Sequence, residues 1–487
     1  MARKMMLITS HEPGRMLFGT ECKNKNIMLP LNLAYIAALT PDNWEIDIID
    51  EKSEPAIDDI GNVLFGHVDL VCITIVTHQA PRAYEISQAC RKIGMTVIVG
   101  GVHPSILPDE AAKYADSVFI GEAEEIWPMV IRDFEEGKLK KVYHGGLPNL
   151  NLINNVRPNR KLFKDKYDYK YSPIITTKGC PNSCDFCSVP TFSGGKYRER
   201  NHNDVLDEME AIDSEHLLFT DDNFYGHSKK SHIRARNIFK GMIERGINKT
   251  YLGMTTIDIA NDAETLNYMA LSGCAGVFVG IESTNKTVLG NMNKKINLKI
   301  GINNYSECIK KIHDSGIIVW GSVIFGSDGD GKDSFKRMTD FVIENNIDIF
   351  TFGISCPFPK TQLYTRLDKE KRIFRKNYPD DWKHYDTMQL VNTLSDMTLK
   401  DFVEGIQYVY DNTYKDDNIR KRFRGSIKAT NNRRNSSYAT IVSSGWKLAI
   451  EQILYDLKEL YNSGDYYHSG NKKTKRRNVY HGAKIAT

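Results

Sequence analysis

The 487-residue chain predicts an α/β protein: an amino-terminal doubly wound domain, a partial (β/α)6 barrel and a helical carboxyl-terminal region. Three observations predict it. Short β-branched runs alternate with helical patterns up to about residue 145, a second such series occupies residues 171–365, and strand signals then stop. Continuous apolar strands separated by helices imply parallel sheets covered on both faces.

In the first part the strand runs are MMLIT, WEIDIID, VDLVCITIV, MTVIVGG and SVFIG, with an apolar-periodic helix around Leu29 to Leu39. They predict a Rossmann-like domain over residues 1–145. Residues 146–170, with scattered Asn, Pro and Lys and no clear period, read as a linker. The second series is SPIITTKGC, HLLFTDD, YLGMTTI, GVFVGIES, IIVWGSVIFG and IDIFTFGIS. Six strands with a helix between each pair fit an incomplete barrel. Segments such as LKDFVEGIQYVYDNTY and WKLAIEQILYDLKELYNS make 366–465 helical, and the basic end, 466–487, is expected to be poorly ordered.

The 65 basic and 61 acidic residues leave a formal charge of +4, so no global imbalance points to nucleic acid or a membrane surface. MARKMMLITS offers no cleavage site, and no run of about 18 apolar residues follows, so the chain reads as cytoplasmic without a transmembrane segment. Six of the nine cysteines (Cys22, Cys72, Cys90, Cys274, Cys308, Cys356) are scattered through apolar or helical stretches, which does not favour a disulfide scaffold.

The other three cysteines carry the chemistry. Cys180, Cys184 and Cys187 in GCPNSCDFC have thiols at i, i+4 and i+7, directly after the first barrel strand. Such a loop can wrap three corners of a four-iron cubane and leave one iron free for a small ligand. The carboxyl ends of barrel strands are also where barrel enzymes place their reactive groups. Gly179 and Pro181 suit a loop that approaches a cofactor closely, and Phe186 can cover the cluster. A zinc site is the competing reading, but the neighbouring sequence offers no fourth ligand at knuckle spacing.

This CxxxCxxC motif, with an aromatic residue before its third cysteine, resembles the radical S-adenosylmethionine superfamily over about residues 172–360. The resemblance implies a 4Fe–4S cluster on the three thiols, S-adenosylmethionine chelated to the free iron, and its reductive cleavage to a 5′-deoxyadenosyl radical. By the same resemblance, Asp221 and Asp222 of TDDNF, Glu282 and Ser283 of GIES, and Ser322 of GSVIFG lie near the bound S-adenosylmethionine with Phe186. PFPKTQLY resembles the family's P-x-P-G-T-x-L-Y segment, with Lys360 in place of Gly.

Residues 5–140 resemble the cobalamin-binding domain that precedes many of these enzymes. The resemblance places Thr74, Thr77, Gly100, Gly101, His103, Ser105, Gly121 and Glu122 near the corrin. The D-x-H-x-x-G signature of other cobalamin proteins is absent. With both cofactors, the implied reaction is methylation of an unactivated carbon of a small-molecule or lipid-like substrate, with flavodoxin or ferredoxin as electron donor. A cobalamin-dependent radical cyclase shares the layout. A methylthiotransferase would need three cluster cysteines in the first domain, and an iron–sulfur electron carrier would leave the barrel without a purpose.

Overall fold

The computed structural model describes residues 2–11, 26–147, 150 and 156–467. Cys22 and the basic end from 468 lie outside them. Fifteen strands are present among the described residues: β1 Arg3–Thr9, β2 Asn26–Met28, β3 Trp44–Asp50, β4 Leu70–Thr74, β5 Thr96–Gly100, β6 Ser117–Gly121, β7 Val142–Gly146, β8 Tyr169–Ile174, β9 Thr177–Lys178, β10 Arg198–Glu199, β11 His216–Phe219, β12 Thr250–Thr255, β13 Cys274–Glu282, β14 Ile318–Phe325 and β15 Ile349–Ile354.

The first sheet is parallel throughout and runs β3-β1-β4-β5-β6-β7. Its central strands are buried along nearly their whole length, with Val71, Val97, Val99 and Val118 fully enclosed, because helices cover both faces. The order reverses at β1, which leaves a crevice beyond the carboxyl ends of the strands where such sheets take ligands.

The second sheet runs β15-β14-β13-β12-β11-β8-β2, again all parallel. All six expected barrel strands are in it. The seventh, β2, comes from the amino-terminal part: Asn26 pairs with Tyr169 and Met28 with Tyr171. Three residues carry too little periodicity to be read as a strand. The supposed linker also differs from its reading, since β8 begins at Tyr169 and a short helix, Lys161–Lys164, precedes it with Phe163 buried against the first domain's core.

The carboxyl-terminal region is helical in Gln362–Lys369, Leu399–Thr413, Asp416–Thr430 and Arg433–Ser463. Thr398 caps the second of these through a reciprocal pair with Asp401. Residues 370–398 were expected to be helical as well, yet contain only a single 3-10 turn, Asp380–His384, and an isolated bridge between Ile373 and Asn392. Tertiary packing explains the departure. Trp382 and Tyr385 are buried in one apolar cluster with Ile73, Ala83 and Tyr84, so this segment straps the barrel to the first domain. Trp382 donates its indole N–H to Glu110 at 3.1 Å. Its neighbours Tyr364, Tyr378 and Tyr385 join hydroxyls at 3.1 and 2.8 Å. Among the described residues no helix is long and apolar enough to cross a membrane.

Candidate functional site

The three thiols sit on a loop that several elements hold. β9 just before it and β10 after it pair antiparallel, and Gly179 turns at φ +81°, where a Cβ would fall 2.0 Å from the Lys196 carbonyl oxygen. Only glycine fits there. Further along the loop the Asp185 N–H donates to Met292 O at 3.1 Å, and Leu363 N–H donates to Asp185 O at 3.0 Å. The PFPKTQLY segment therefore buttresses the loop. Lys360 within it adopts φ +60°, a conformation that glycine takes without penalty, which accounts for Gly in the motif it resembles.

Cys184 is buried, and Cys180 and Cys187 are half-buried. Burial raises all three thiols, Cys187 to about 12, and the neighbouring sulfurs raise Cys184 and Cys187 further. Without a metal they are protonated thiols, so loading a cluster must displace protons. Asn182 donates to Cys180 Sγ at 3.5 Å. Among the described residues no group of three His, Cys, Asp or Glu side chains is arranged to hold a single metal ion.

Facing the loop are the strand ends singled out from the sequence. Asp221 is fully buried and accepts from the Thr176 N–H at 2.8 Å, the Thr177 N–H and the Thr177 hydroxyl. Its second oxygen has no partner. Asp222, although exposed, accepts the Gly179 N–H at 3.0 Å, and the surrounding protein raises its carboxyl above the usual carboxylate range. Glu282 ends β13 at φ +61°, beside a register shift, with Ser283 next to it. Ser322 lies on the neighbouring strand opposite Gly280. Phe186 packs at the edge of the Trp382 cluster.

One residue here escapes sequence reasoning. Lys294 is buried, with its ammonium 2.6 Å from Glu282 Oε1 and 5.8 Å from the centre of the Phe186 ring. Its positive charge also acts on all three thiols. Burial alone would lower this ammonium, but the Glu282 and cysteine charges outweigh it and hold the group protonated. In the sequence it is one lysine of NKK, indistinguishable from a solvated pair.

In the first domain a cavity of 210 Å³ opens at the carboxyl ends of β4, β5 and β6, under the helix Leu31–Leu39. Leu33, Ile36, Cys72, Ile98, Phe119 and Trp127 make it largely apolar. Thr74, Gly100, Gly101, Gly121 and Glu122 line it; Thr77, His103 and Ser105 do not. Ser105 instead donates to Gly101 O at 2.7 Å and accepts the Gly121 N–H at 2.9 Å, tying the two glycine turns together. Thr77 is buried at the start of a 3-10 turn. His103 is fully buried, with Nε2 3.1 Å from Glu110 and its ring edge-on to Trp382. It belongs to the strap contact rather than to the cavity.

Cavity and thiol loop share a wall. Lys178, two residues before Cys180, lines the cavity and pairs with Glu122 at 3.0 Å and with Glu124, while Arg198 of β10 also pairs with Glu122.

A half-barrel with a three-thiol loop at its first strand, joined at its mouth to a doubly wound domain, defines a radical S-adenosylmethionine enzyme with a second cofactor domain. Family models agree: the radical SAM superfamily matches residues 174–342, the B12 binding domain 23–131, and a domain of unknown function, DUF4070, 361–467. The chain is 31% identical over 410 residues to bacteriochlorophyllide d C-12(1)-methyltransferase of Chlorobaculum tepidum, covering 82% of this chain and 85% of that one. It is 29% identical over 385 residues to the C-8(2)-methyltransferase of the same organism, covering 76% and 81%. The radical S-adenosylmethionine methyltransferase TsrM from Kitasatospora setae, solved with cobalamin and a 4Fe–4S cluster, superposes with a TM-score of 0.65 at 15% identity, covering 94% of this chain and all of that one, and shares the fold. The chain belongs to the cobalamin-dependent radical S-adenosylmethionine methyltransferase family, whose cofactors are a 4Fe–4S cluster, S-adenosylmethionine and cobalamin.

Proposed function

We propose that this enzyme transfers a methyl group to an unactivated carbon of a small-molecule or lipid-like substrate held between the thiol loop and the mouth of the first domain. The observation that carries the reading is the shared wall: Lys178 belongs both to the cluster loop and to the cavity, so the two cofactor sites are contiguous. When bound, the reduced cluster supplies the electron that cleaves S-adenosylmethionine, and cobalamin supplies the methyl group.

The residues present fit these groups. Cys180, Cys184 and Cys187 would hold the cluster, since three thiols on one loop leave an iron open. Lys294 is a buried cation beside them, suited to the carboxylate of S-adenosylmethionine, and Glu282, Ser283, Ser322 and Asp222 would meet its cationic and ribose portions. Phe186, packed against the strap cluster, would cover the loop, while Asp221 holds the backbone at Thr176 and Thr177. The largely apolar cavity, with Thr74, Gly101, Gly121 and Glu122 in its lining, would hold part of the cobalamin.

The chain's own contribution is orientation and exclusion of water. The strap at Tyr378 to Tyr385 fixes the barrel against the first domain, and the Lys178–Glu122–Arg198 bridge sets the loop at the junction. Electrons would come from a one-electron donor such as flavodoxin or ferredoxin. The deciding test compares metabolites of cells with and without the gene for a mass shift of one methylene, alongside S-adenosylmethionine cleavage by reconstituted protein. Cleavage without any methylated product in cobalamin-replete cells would sink the methyl-transfer reading.

A further inference from the structure

The outer side of the segment that covers the thiol loop is strongly basic. Between Glu282 and Glu307 the chain carries Lys286, Lys294, Lys295 and Lys299 and no carboxylate. Lys294 points inward, as described; the other three are exposed. Lys286 and Arg337 line a surface groove together with Asn285, Asn303 and Asn304. Lys295 and Lys299 stand one turn apart on the short helix Lys295–Ile300. Of the carboxylates around it, Asp328 is clamped between Arg366 and Arg372, Asp330 is buried and Asp396 caps the Gly329 N–H, while Asp333 is exposed on the helix that carries Arg337.

The same segment is the thin cover over the thiols. Asn293 donates to the Ser183 carbonyl at 2.6 Å, and Met292 O accepts from the Asp185 N–H at 3.1 Å, so this segment packs directly on the loop. Pro181 and Ser183, between the first two thiols, are themselves exposed. The opposite side of the loop faces the junction of the two domains, where substrate and cofactors would sit. Electron transfer falls off steeply with distance, so a donor must dock where the cover is thin.

We propose that the basic face built by Lys286, Lys295, Lys299 and Arg337 is the docking surface for an acidic one-electron carrier protein that reduces the cluster, an inference that rests on the function proposed above. Opposite charge on the partner raises the encounter rate and sets its orientation, and both effects weaken with salt. The donor gives up one electron and the cluster takes it up; no bond is made or broken in this step.

The test uses the full reconstituted chain with reduced flavodoxin as the probe, against dithionite, which needs no docking. In the unaltered protein, flavodoxin-driven cleavage of S-adenosylmethionine should slow as salt is raised. The triple variant Lys286→Glu, Lys295→Glu, Lys299→Glu should keep its dithionite-driven rate and lose at least about tenfold of the flavodoxin-driven rate at low salt, with its salt dependence flattened. A Lys→Gln triple should lose less, in the same direction. Equal flavodoxin-driven rates in all three proteins overturn the proposal. So does a face that binds a labelled oligonucleotide in preference to flavodoxin. Absence of dithionite-driven cleavage in the unaltered protein is a different result, and counts against the enzymatic reading instead.

Discussion

Lys178 holds its ammonium 3.0 Å from the Glu122 carboxylate, a bridge from the thiol loop of one α/β unit to the glycine turn of the other. It also pairs with Glu124, whose side chain is only 6% exposed. Lys178→Met leaves that carboxylate buried without its cation. The expected cost is about 3 kcal/mol. Denaturant midpoints check it, and Glu124→Gln added to Lys178→Met should recover part of the loss. A change within about 0.5 kcal/mol would show that the bridge contributes nothing measurable.

Changing Cys180, Cys184 and Cys187 together to Ala should lower iron after reconstitution from about four per chain to near zero and abolish dithionite-driven cleavage of S-adenosylmethionine. Retained cleavage contradicts the assignment. Because the three thiols are protonated when free, cluster loading should be slower at low pH, with Cys187, raised to about 12, the hardest to deprotonate.

Cys72 is buried at the cavity wall under Leu33 and Ile98. Cys72→Phe should fill that space and weaken corrin retention by roughly tenfold, the equivalent of 1.4 kcal/mol, while leaving iron content unchanged. Absorbance of protein expressed with cobalamin measures both. Normal corrin retention would move the ligand to another part of the sheet mouth.

Asp330 has its carboxyl lifted to about 6 by burial, partly offset by Ser334 and the Ser327 N–H. Unfolded, it titrates near 3.9. Between about pH 4 and 6 the native state therefore holds a proton that the unfolded state has lost, and stability falls as pH rises through that window. Asp330→Asn removes the dependence. The variant should match the original at pH 4 and exceed it at pH 7 by about 1–3 kcal/mol. Parallel curves for the two proteins across this range would count against it.

The strand runs read from the sequence all appear in the two sheets, because the central ones are continuous apolar runs buried on both faces, whereas β7, VYHGG with two exposed residues at the sheet edge, and the three-residue β2 are not read as strands. Site residues divide differently. Thiol spacing is a local property of the sequence, and so are the glycine turns Gly100, Gly101 and Gly121 at the cavity. His103 looked equally local after its glycine pair, but Trp382, nearly three hundred residues on, covers it and decides its role. Lys294 was hidden for the converse reason: its burial comes from Glu282 and Phe186. Residues 370–398 depart from the helical expectation because their aromatics answer to the first domain's surface rather than to a helical period.

The contribution of β2 to the second sheet bears on how the molecule is made. Asn26 and Met28 have long left the ribosome when their partners Tyr169 and Tyr171 emerge, so the edge of the half-barrel waits for the rest of it. Long-range parallel pairing of this kind forms late and slowly. It also means that the first domain is not a detachable cassette: a chain begun at the barrel would expose the β8 edge as a template for unwanted pairing. Grafting the half-barrel onto another front domain would therefore require carrying this strand along.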